Sequence, residues 1–599
     1  MWTMSKACGF AIAICLAMCL LGMRAGAEPI KLADNGGSEY VILIGPNANV
    51  TERFAAEELQ RYLGKITGAT LPIMTNHGSL PFIAVGECAG IDVPSRYEGD
   101  DGYRIRTIGP NIALAGAITR GTLYAVYDLL ARLGCWWFSP DAEGMKGHCE
   151  LVPNIPTLTI PPMDVLEQPL MKYRKRDPAG YYGPSSWGLI FDFTAKSRAN
   201  TIALHTNIYE GSRDQIKREL EKRGMRLEIG KHGIMPDLLP QSKYFAAHPE
   251  WFGMIDGKRT DDGRMVFETA NPEAAATFTS NLVAYLKTRP EVDAFQIWPP
   301  DGCKWSQSPE SLAVGPPTER MALLVQQATK AVKAAGLRTR IMTIAYQQII
   351  DPPKNMAFDR DNMVDFCPIT RDYSMPLDDP RGAENVRLNA ALLGWTKSFP
   401  GEVVHYSYYA KASWCSLPVA EPEQIASDAK SWRKVGEVGT DIYCSPRDWL
   451  AREVHHLAFA RASWDANFDA AKWYDEYLKI RFGAAADAMK RYYKAVTPVS
   501  LNGLIVQSAT GKPSDYAVLL AEARQAMGEA VAKADTPEAR WATKTLSWQP
   551  DYLASALALR QARLDRKPQA EIDAMRNKLV ELFMSHAGDG SASGGVMKL

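Results

Sequence analysis

Between residues 171 and 444 the sequence repeats one pattern eight times: a short apolar segment, then a stretch able to form a helix. The apolar segments are 171–176, 200–205, 225–229, 295–298, 339–346, 363–368, 403–408 and 441–444. Segments this short, rich in β-branched and aromatic residues, form buried strands. Strands that alternate with helices pair in parallel, because each helix returns the chain to its starting edge. Eight such units close into a (β/α)8 barrel, so the predicted fold class is α/β. Three of the intervening helices are explicit. Met321, Leu324, Val325, Ala328, Val332 and Ala335 share one face, closed by Gly336. Asn271, Pro272 and Glu273 supply a cap, a first-turn proline and an acid at the positive helix end. Val386, Leu392, Leu393 and Trp395 mark the third. The longest gap lies between the third and fourth segments, and it contains F-A-A-H-P-E-W-F-G-M-I-D-G-K-R at 245–259, read as an excursion that shapes the open face.

The barrel is expected at 166–448, and other composition brackets it. Residues 28–165 read as an α+β accessory domain. Its strands are expected at 40–44, 82–85, 103–108, 112–117 and 135–138. One helix starts at a Thr51 cap and ends at Gly68; a second spans 121–132. Pro153, Pro156, Pro161 and Pro162 mark the linker. Residues 449–587 read as almost wholly helical, and 588–599 as a disordered glycine-rich tail.

Residues 1–27 have the form of a signal peptide. Lys6 is the positive charge, 9–23 the apolar core, and Ala25-Gly26-Ala27 a small-residue cleavage site. The expectation is export to a periplasm or beyond, with cleavage near Ala27. No later apolar run is long enough to span a membrane. Lys+Arg and Asp+Glu are both 68, and without a basic excess nucleic acid is not an expected partner. The mature cysteines (Cys88, Cys135, Cys149, Cys303, Cys367, Cys415, Cys444) are odd in number and lack a C-x-x-C spacing, so no metal cluster is expected and no cofactor is implied. An exported protein permits a disulfide among them.

The fourth segment ends in a way that points to chemistry. Phe295-Gln296-Ile297-Trp298 is strand-forming, and Pro299 and Pro300 stop it, because neither donates to a ladder. Asp301 follows, and Gly302 turns the chain. A carboxylate at the C-terminal end of a barrel strand lies on the face where such folds do chemistry. Asp301 is thus the candidate general acid; a plain Asp-Gly turn is the competing reading. Glu228 and His232 fall on one parity of the third segment and would point the same way, as a second acid and a sugar contact or as a buried pair. His205 ends the second segment, and Arg174 with Arg176 lies in the first, reaching the open face or pairing inside the barrel. Trp298, Tyr346, Tyr406 and Tyr409 are candidate sugar-stacking rings, against a core role for each. His455-His456 carries no ligand spacing and reads as structural.

Four stretches also carry a family resemblance. T-R-G-T-L-Y-A-V-Y-D-L-L-A-R-L-G-C-W-W-F-S-P (119–140) resembles the N-terminal accessory domain of α-glucuronidases and β-hexosaminidases. H-P-E-W-F-G-M-I-D-G-K-R, C-P-I-T-R-D-Y (367–373) and W-P-P-D-G resemble domain-of-unknown-function family 4838, part of which is glycoside hydrolase family 163. The resemblance implies an exported glycoside hydrolase acting on an oligosaccharide, cleaving β-linked N-acetylglucosamine with the substrate's acetamide as nucleophile. Asp301 is then the acid/base, and Tyr406, Tyr408 or Asp372 holds the acetamide. One departure stands out: Pro300 replaces the asparagine that usually precedes the acid. Two alternatives stay open. One is an α-glucuronidase-like hydrolase with two carboxylates, Asp301 and Glu228, and a uronate pocket drawing on Arg174, Arg176 or Arg371. The other is an inactive carbohydrate-binding protein.

Overall fold

The eight apolar segments form eight parallel strands of one closed barrel in the computed structural model, which describes residues 28–142, 144–178, 186–409, 411–443, 447–505 and 511–593. The signal-peptide segment and Cys444 lie outside the described residues. In barrel order the strands are β1 (Tyr173–Asp177), β2 (Thr201–His205), β3 (Arg226–Lys231), β4 (Ala294–Ile297), β5 (Arg340–Ala345), β6 (Met363–Phe366), β7 (Glu402–Ser407) and β8 (Gly439–Tyr443). β8 pairs back onto β1, with Lys175 level with Asp441.

Helices α1 (Trp187–Lys196), α2 (Thr206–Arg223), α3 (Pro272–Lys287), α4 (Pro317–Ala334), α5 (Ala383–Ser398), α6 (Pro422–Lys434) and α7 (Trp449–Trp464) follow the strands in turn. Asn271 caps α3 as expected, its side chain accepting from the N–H groups of Glu273 and Ala274 at 3.0 Å. The alternation fails once. Between β5 and β6 there is only a short turn of 3-10 helix at Gln347–Ile349. Pro352 and Pro353 follow directly, and a proline pair cannot continue a helix. The excursion before α3 holds two short helices and the hairpin Met254–Ile255/Lys258–Arg259.

Contacts divide the chain into two compact units. One holds the described residues up to Trp136 with Leu151–Gln168 and Lys222–Gly224; the barrel and the C-terminal helices share the other, with 137–150. The first unit is a six-stranded mixed sheet in the order Asp164–Glu167, Tyr103–Ile108, Asn111–Gly116, Phe82–Val85, Val41–Ile44, Ile73–Met74. Its first helix, Val50–Thr67, is capped by Asn49 rather than Thr51. Asn49 accepts from the Glu52 N–H at 3.0 Å while Glu52 accepts from the Asn49 N–H at 3.1 Å, a reciprocal box that Thr51 cannot match. Of the tail expected at 588–599, residues 594–599 lie outside the described residues. Residues 588–593 are packed: Trp548 donates to Ser591 at 2.8 Å and the Ser593 N–H to Ser416 at 3.0 Å. Among the described residues six cysteines are free, and no helix is long and apolar enough to cross a membrane.

The N-terminal mouth of the barrel is closed by charge. Tyr173, Ala294, Met342, Met363 and Val404 form its apolar floor. Below them Glu402 accepts from Lys172 at 2.7 Å and from the Tyr173 hydroxyl at 2.8 Å, and pairs with Arg340. Burial raises the Glu402 carboxyl, but Arg340 and Lys172 outweigh it and hold it at about 2. A carboxylate depressed in the folded state contributes stability above its unfolded value and loses it as pH falls through its folded one. Glu402→Gln should therefore destabilise the fold near neutral pH by on the order of 2–3 kcal/mol, with a lower melting temperature. The gap should close between about pH 4.5 and pH 2. Melting curves of both proteins across that window check it; a gap that does not narrow would contradict the assignment.

A candidate active site at the C-terminal rim of the barrel

Above the apolar floor the barrel interior turns polar. Alternation in β1 sends Arg174 and Arg176 outward and Lys175 inward. The Lys175 ammonium lies 2.8 Å from Glu228 of β3 and 3.0 Å from Asp365 of β6, all three buried. Gln296 of β4 donates to the same two carboxylates at 3.2 Å each. Burial alone would strip Lys175 of its proton, but Asp365, Glu228 and Asp441 keep it charged far above neutral pH. Burial likewise pushes the Glu228 carboxyl up to about 6, against the pull of Lys175. Asp441 of β8 shares this layer, and among the described residues neither of its oxygens has a hydrogen-bond partner. Burial and the nearby Asp177 drive its carboxyl well above the usual range, so it is the protonated member of the group.

The next layer up belongs to Asp177 at the end of β1. It pairs with Lys231 and accepts from the Tyr406 hydroxyl. Lys231 reaches inward because the chain breaks its strand geometry at Gly230 (φ +131°) and Lys231 (φ +73°). Only glycine fits at position 230: a Cβ there would lie 2.2 Å from the Gln296 carbonyl oxygen.

The rim is aromatic, with one exposed acid. Trp298 meets Tyr406 edge-on at 6.1 Å, and Tyr406 lies 5.0 Å from Tyr408. His232 packs at 5.1 Å against Trp298 and 5.8 Å from Tyr346. Its Nδ1 lies 2.7 Å from the Pro299 carbonyl, which can only accept, so Nδ1 carries the proton. Asp301 stands exposed at the turn after β4, and the Tyr346 hydroxyl donates to it at 3.2 Å. The loop behind Asp301 is pinned from the excursion. Glu268 accepts from Ser306 at 2.8 Å, Ser308 at 2.6 Å and Arg259 at 3.0 Å. Burial opposes the Glu268 charge, but these bonds, with one from Ser311, hold its carboxyl below the usual range.

The sequence candidates separate into two groups. Asp301, His232, Trp298, Tyr346, Tyr406 and Tyr408 come together at the rim. His205 ends β2 there, near Lys231, and its imidazole is driven down to about 4 first by burial and then by that ammonium. The others lie elsewhere. Glu228 sits a layer below, held by Lys175; the parity linking it to His232 fails because the chain turns at Gly230 and Lys231. Arg174 lies outside the barrel, bonded to the carbonyls of Arg198 and Met171 at 2.7 Å and stacked over Trp464 at 4.9 Å. Arg176 likewise points outward and bonds Ser197 at 3.0 Å. Arg371 is buried against Asp428 at 2.6 Å. Asp372 turns its carboxylate to the Ser374 hydroxyl at 2.6 Å and N–H at 2.8 Å. Tyr409 is buried and bonds Asp428. Sequence reasoning missed Lys175, Asp177, Lys231, Asp365 and Asp441. The signal for Lys175 and Asp177 was the charged run Arg174-Lys175-Arg176-Asp177 within a buried strand. One three-residue group of metal-ligand type, His248, Glu250 and Glu273, lies on the excursion and α3, outside the barrel interior.

Comparison with known proteins places this architecture. The profile described as a domain of unknown function (DUF4838) matches residues 145–494. No curated protein matches the sequence. Among solved structures, a family GH115 4-O-methyl-α-glucuronidase with specificity for decorated arabinogalactans is similar at 14% identity and TM-score 0.63, covering 94% of this chain and 78% of that one. A GH138 enzyme targeting pectin rhamnogalacturonan II is 12% identical, with TM-score 0.56 and coverages of 92% and 74%. The chitobiase of Flavobacterium johnsoniae is 12% identical, with TM-score 0.50 and coverages of 95% and 96%. At these identities the likeness is one of fold.

The interior network makes a prediction of its own. Lys175→Met should destabilise the protein by about 3–5 kcal/mol, because it leaves two buried carboxylates without their cation. Adding Glu228→Gln and Asp365→Asn should recover part of that loss. Denaturant titration of the single and triple variants checks it; an unperturbed Lys175→Met protein would contradict the network.

Proposed function

The chain belongs to the DUF4838 family, and we propose that it is a glycoside hydrolase whose reaction takes place at the aromatic rim around Asp301. One observation carries the reading: an exposed acid at the end of β4, held by the Tyr346 hydroxyl and bordered by Trp298, Tyr406 and Tyr408. Aromatic faces bind the apolar faces of sugar rings, and a carboxyl among them is placed to protonate a departing glycosidic oxygen.

The finer reading is cleavage of β-linked N-acetylglucosamine, with the substrate's acetamide as nucleophile and Asp301 as acid and then base. That mechanism needs a group to hold the acetamide. Asp372 is committed to Ser374 and the Tyr406 hydroxyl to Asp177, so Tyr408 takes this role. The resemblance of the H-P-E-W-F-G-M-I-D-G-K-R, C-P-I-T-R-D-Y and W-P-P-D-G stretches supports the choice, as does a fold similar to that of a chitobiase. Burial of Glu228 against Lys175 weighs against the rival in which Glu228 is a second catalytic carboxylate. The chain acts after export in this reading, with the leader removed before Glu28.

Replacing Asp301 by Asn keeps the shape and removes the titratable proton. Turnover of an alkyl-linked substrate should fall by about 10²–10⁴-fold, and that of an aryl glycoside by less, because its leaving group needs little protonation. The melting temperature should hardly move. Near wild-type turnover of the alkyl-linked substrate would remove Asp301 from this role. Export is tested separately: N-terminal sequencing of protein recovered from outside the cytoplasm should begin near Glu28, and an intact Met1 would contradict it.

A further inference from the structure

Lys411 is a half-buried cation with no counter-ion among the described residues. It lies in the turn after β7, where its N–H donates to the Tyr408 carbonyl at 3.0 Å. Its ammonium sits 5.3 Å from the centre of the Tyr408 ring, and among the described residues its one hydrogen bond is to the Ile369 carbonyl at 3.4 Å. So long a bond offsets little of the cost of taking an ammonium out of water. The charged groups of the neighbouring loops are held elsewhere, and burial pushes the Glu421 carboxyl well above the usual range. On the loop after β6, Arg371 is paired with Asp428 and Asp372 with Ser374, while Thr370 bonds Glu384. On its own segment the titratable neighbours are Tyr408 and Tyr409, whose phenols burial pushes well above their usual range. Outside the described residues the only acids are Glu143 and the C-terminal carboxylate. Desolvation without compensation pushes the Lys411 ammonium down to about 8.

A cation in this state, one ring from Tyr406 and the acid at its base, lacks a partner that a ligand would bring. We propose that Lys411 binds an anionic group of the glycan, a sugar carboxylate or a sulfate ester, so that the substrate carries a negative charge beside the sugar at the rim. A lysine is a compact point charge and serves either anion. The inference rests on the reading of the rim as a glycan site.

Calorimetric titration of the full chain with three disaccharides tests it: neutral chitobiose, a glucuronate-containing disaccharide and a sulfated N-acetylglucosamine disaccharide. Near pH 7 the wild type should bind at least one anionic ligand about tenfold more tightly than chitobiose. Which anion is preferred identifies the source of the charge. That preference should fade by about pH 9.5, where the ammonium is neutral, and persist there in Lys411→Arg, whose guanidinium stays charged. Lys411→Met should lose the preference, keep its affinity for chitobiose and melt no lower than the wild type. Equal affinity for all three ligands, or a preference that survives Lys411→Met, would overturn the inference and leave the glycan site standing. Binding of none of the three would overturn the reading of the rim, and the inference with it.

Discussion

Lys175 is the interaction on which the rest of the barrel depends. Its ammonium lies between Glu228 and Asp365 inside the barrel, with Gln296 bridging the same two carboxylates. Four strands, β1, β3, β4 and β6, are thereby tied together where most barrels pack aliphatic side chains. Such a core is demanding, because every buried charge needs a partner. Lys175 and Lys231 face four carboxyls, Asp177, Glu228, Asp365 and Asp441, so the group cannot all be ionised. Burial raises the carboxyls of Glu228, Asp365 and Asp441, Asp441 most strongly, while Lys175 pulls against it.

That floor fixes the rim above it. Asp177 accepts from Tyr406, Tyr406 sets the edge of Trp298, and Trp298 packs on His232, which also lies against Tyr346 and bonds the carbonyl of Pro299. Pro299 and Pro300 thus do more than stop β4. They orient the turn that presents Asp301, while Glu268 holds the outgoing loop through three serines. An acid whose position is determined from both sides has the fixed placement that proton transfer needs. Lys411 lies at the opposite edge of the same aromatic cluster.

The barrel was legible in the sequence because its signal is periodic and redundant: losing the helix between β5 and β6 to Pro352 and Pro353 did not hide the other units. Asp301 was legible because a strand stopped by prolines exposes the side chain just beyond them. The interior was not. Arg174-Lys175-Arg176-Asp177 looks like a solvated run until the strand is known to be buried on both faces, and alternation then decides that Lys175, not Arg174, faces inward. Glu228 and His232 misled for the opposite reason, since their parity assumed a regular strand through Gly230. Asn49 rather than Thr51 caps its helix because Glu52 returns the bond to the Asn49 N–H, which propensity at one position does not reveal.

The central claim is that the C-terminal rim of the barrel holds a sugar with Asp301 at its glycosidic bond. A crystal structure of the Asp301→Asn protein soaked with a chitooligosaccharide tests it most directly. The account predicts a glycosidic oxygen within hydrogen-bond reach, about 3 Å, of the residue at 301, with sugar rings against Trp298 and Tyr408. A saccharide bound elsewhere, or at the rim with its glycosidic oxygens turned away from position 301, would contradict it.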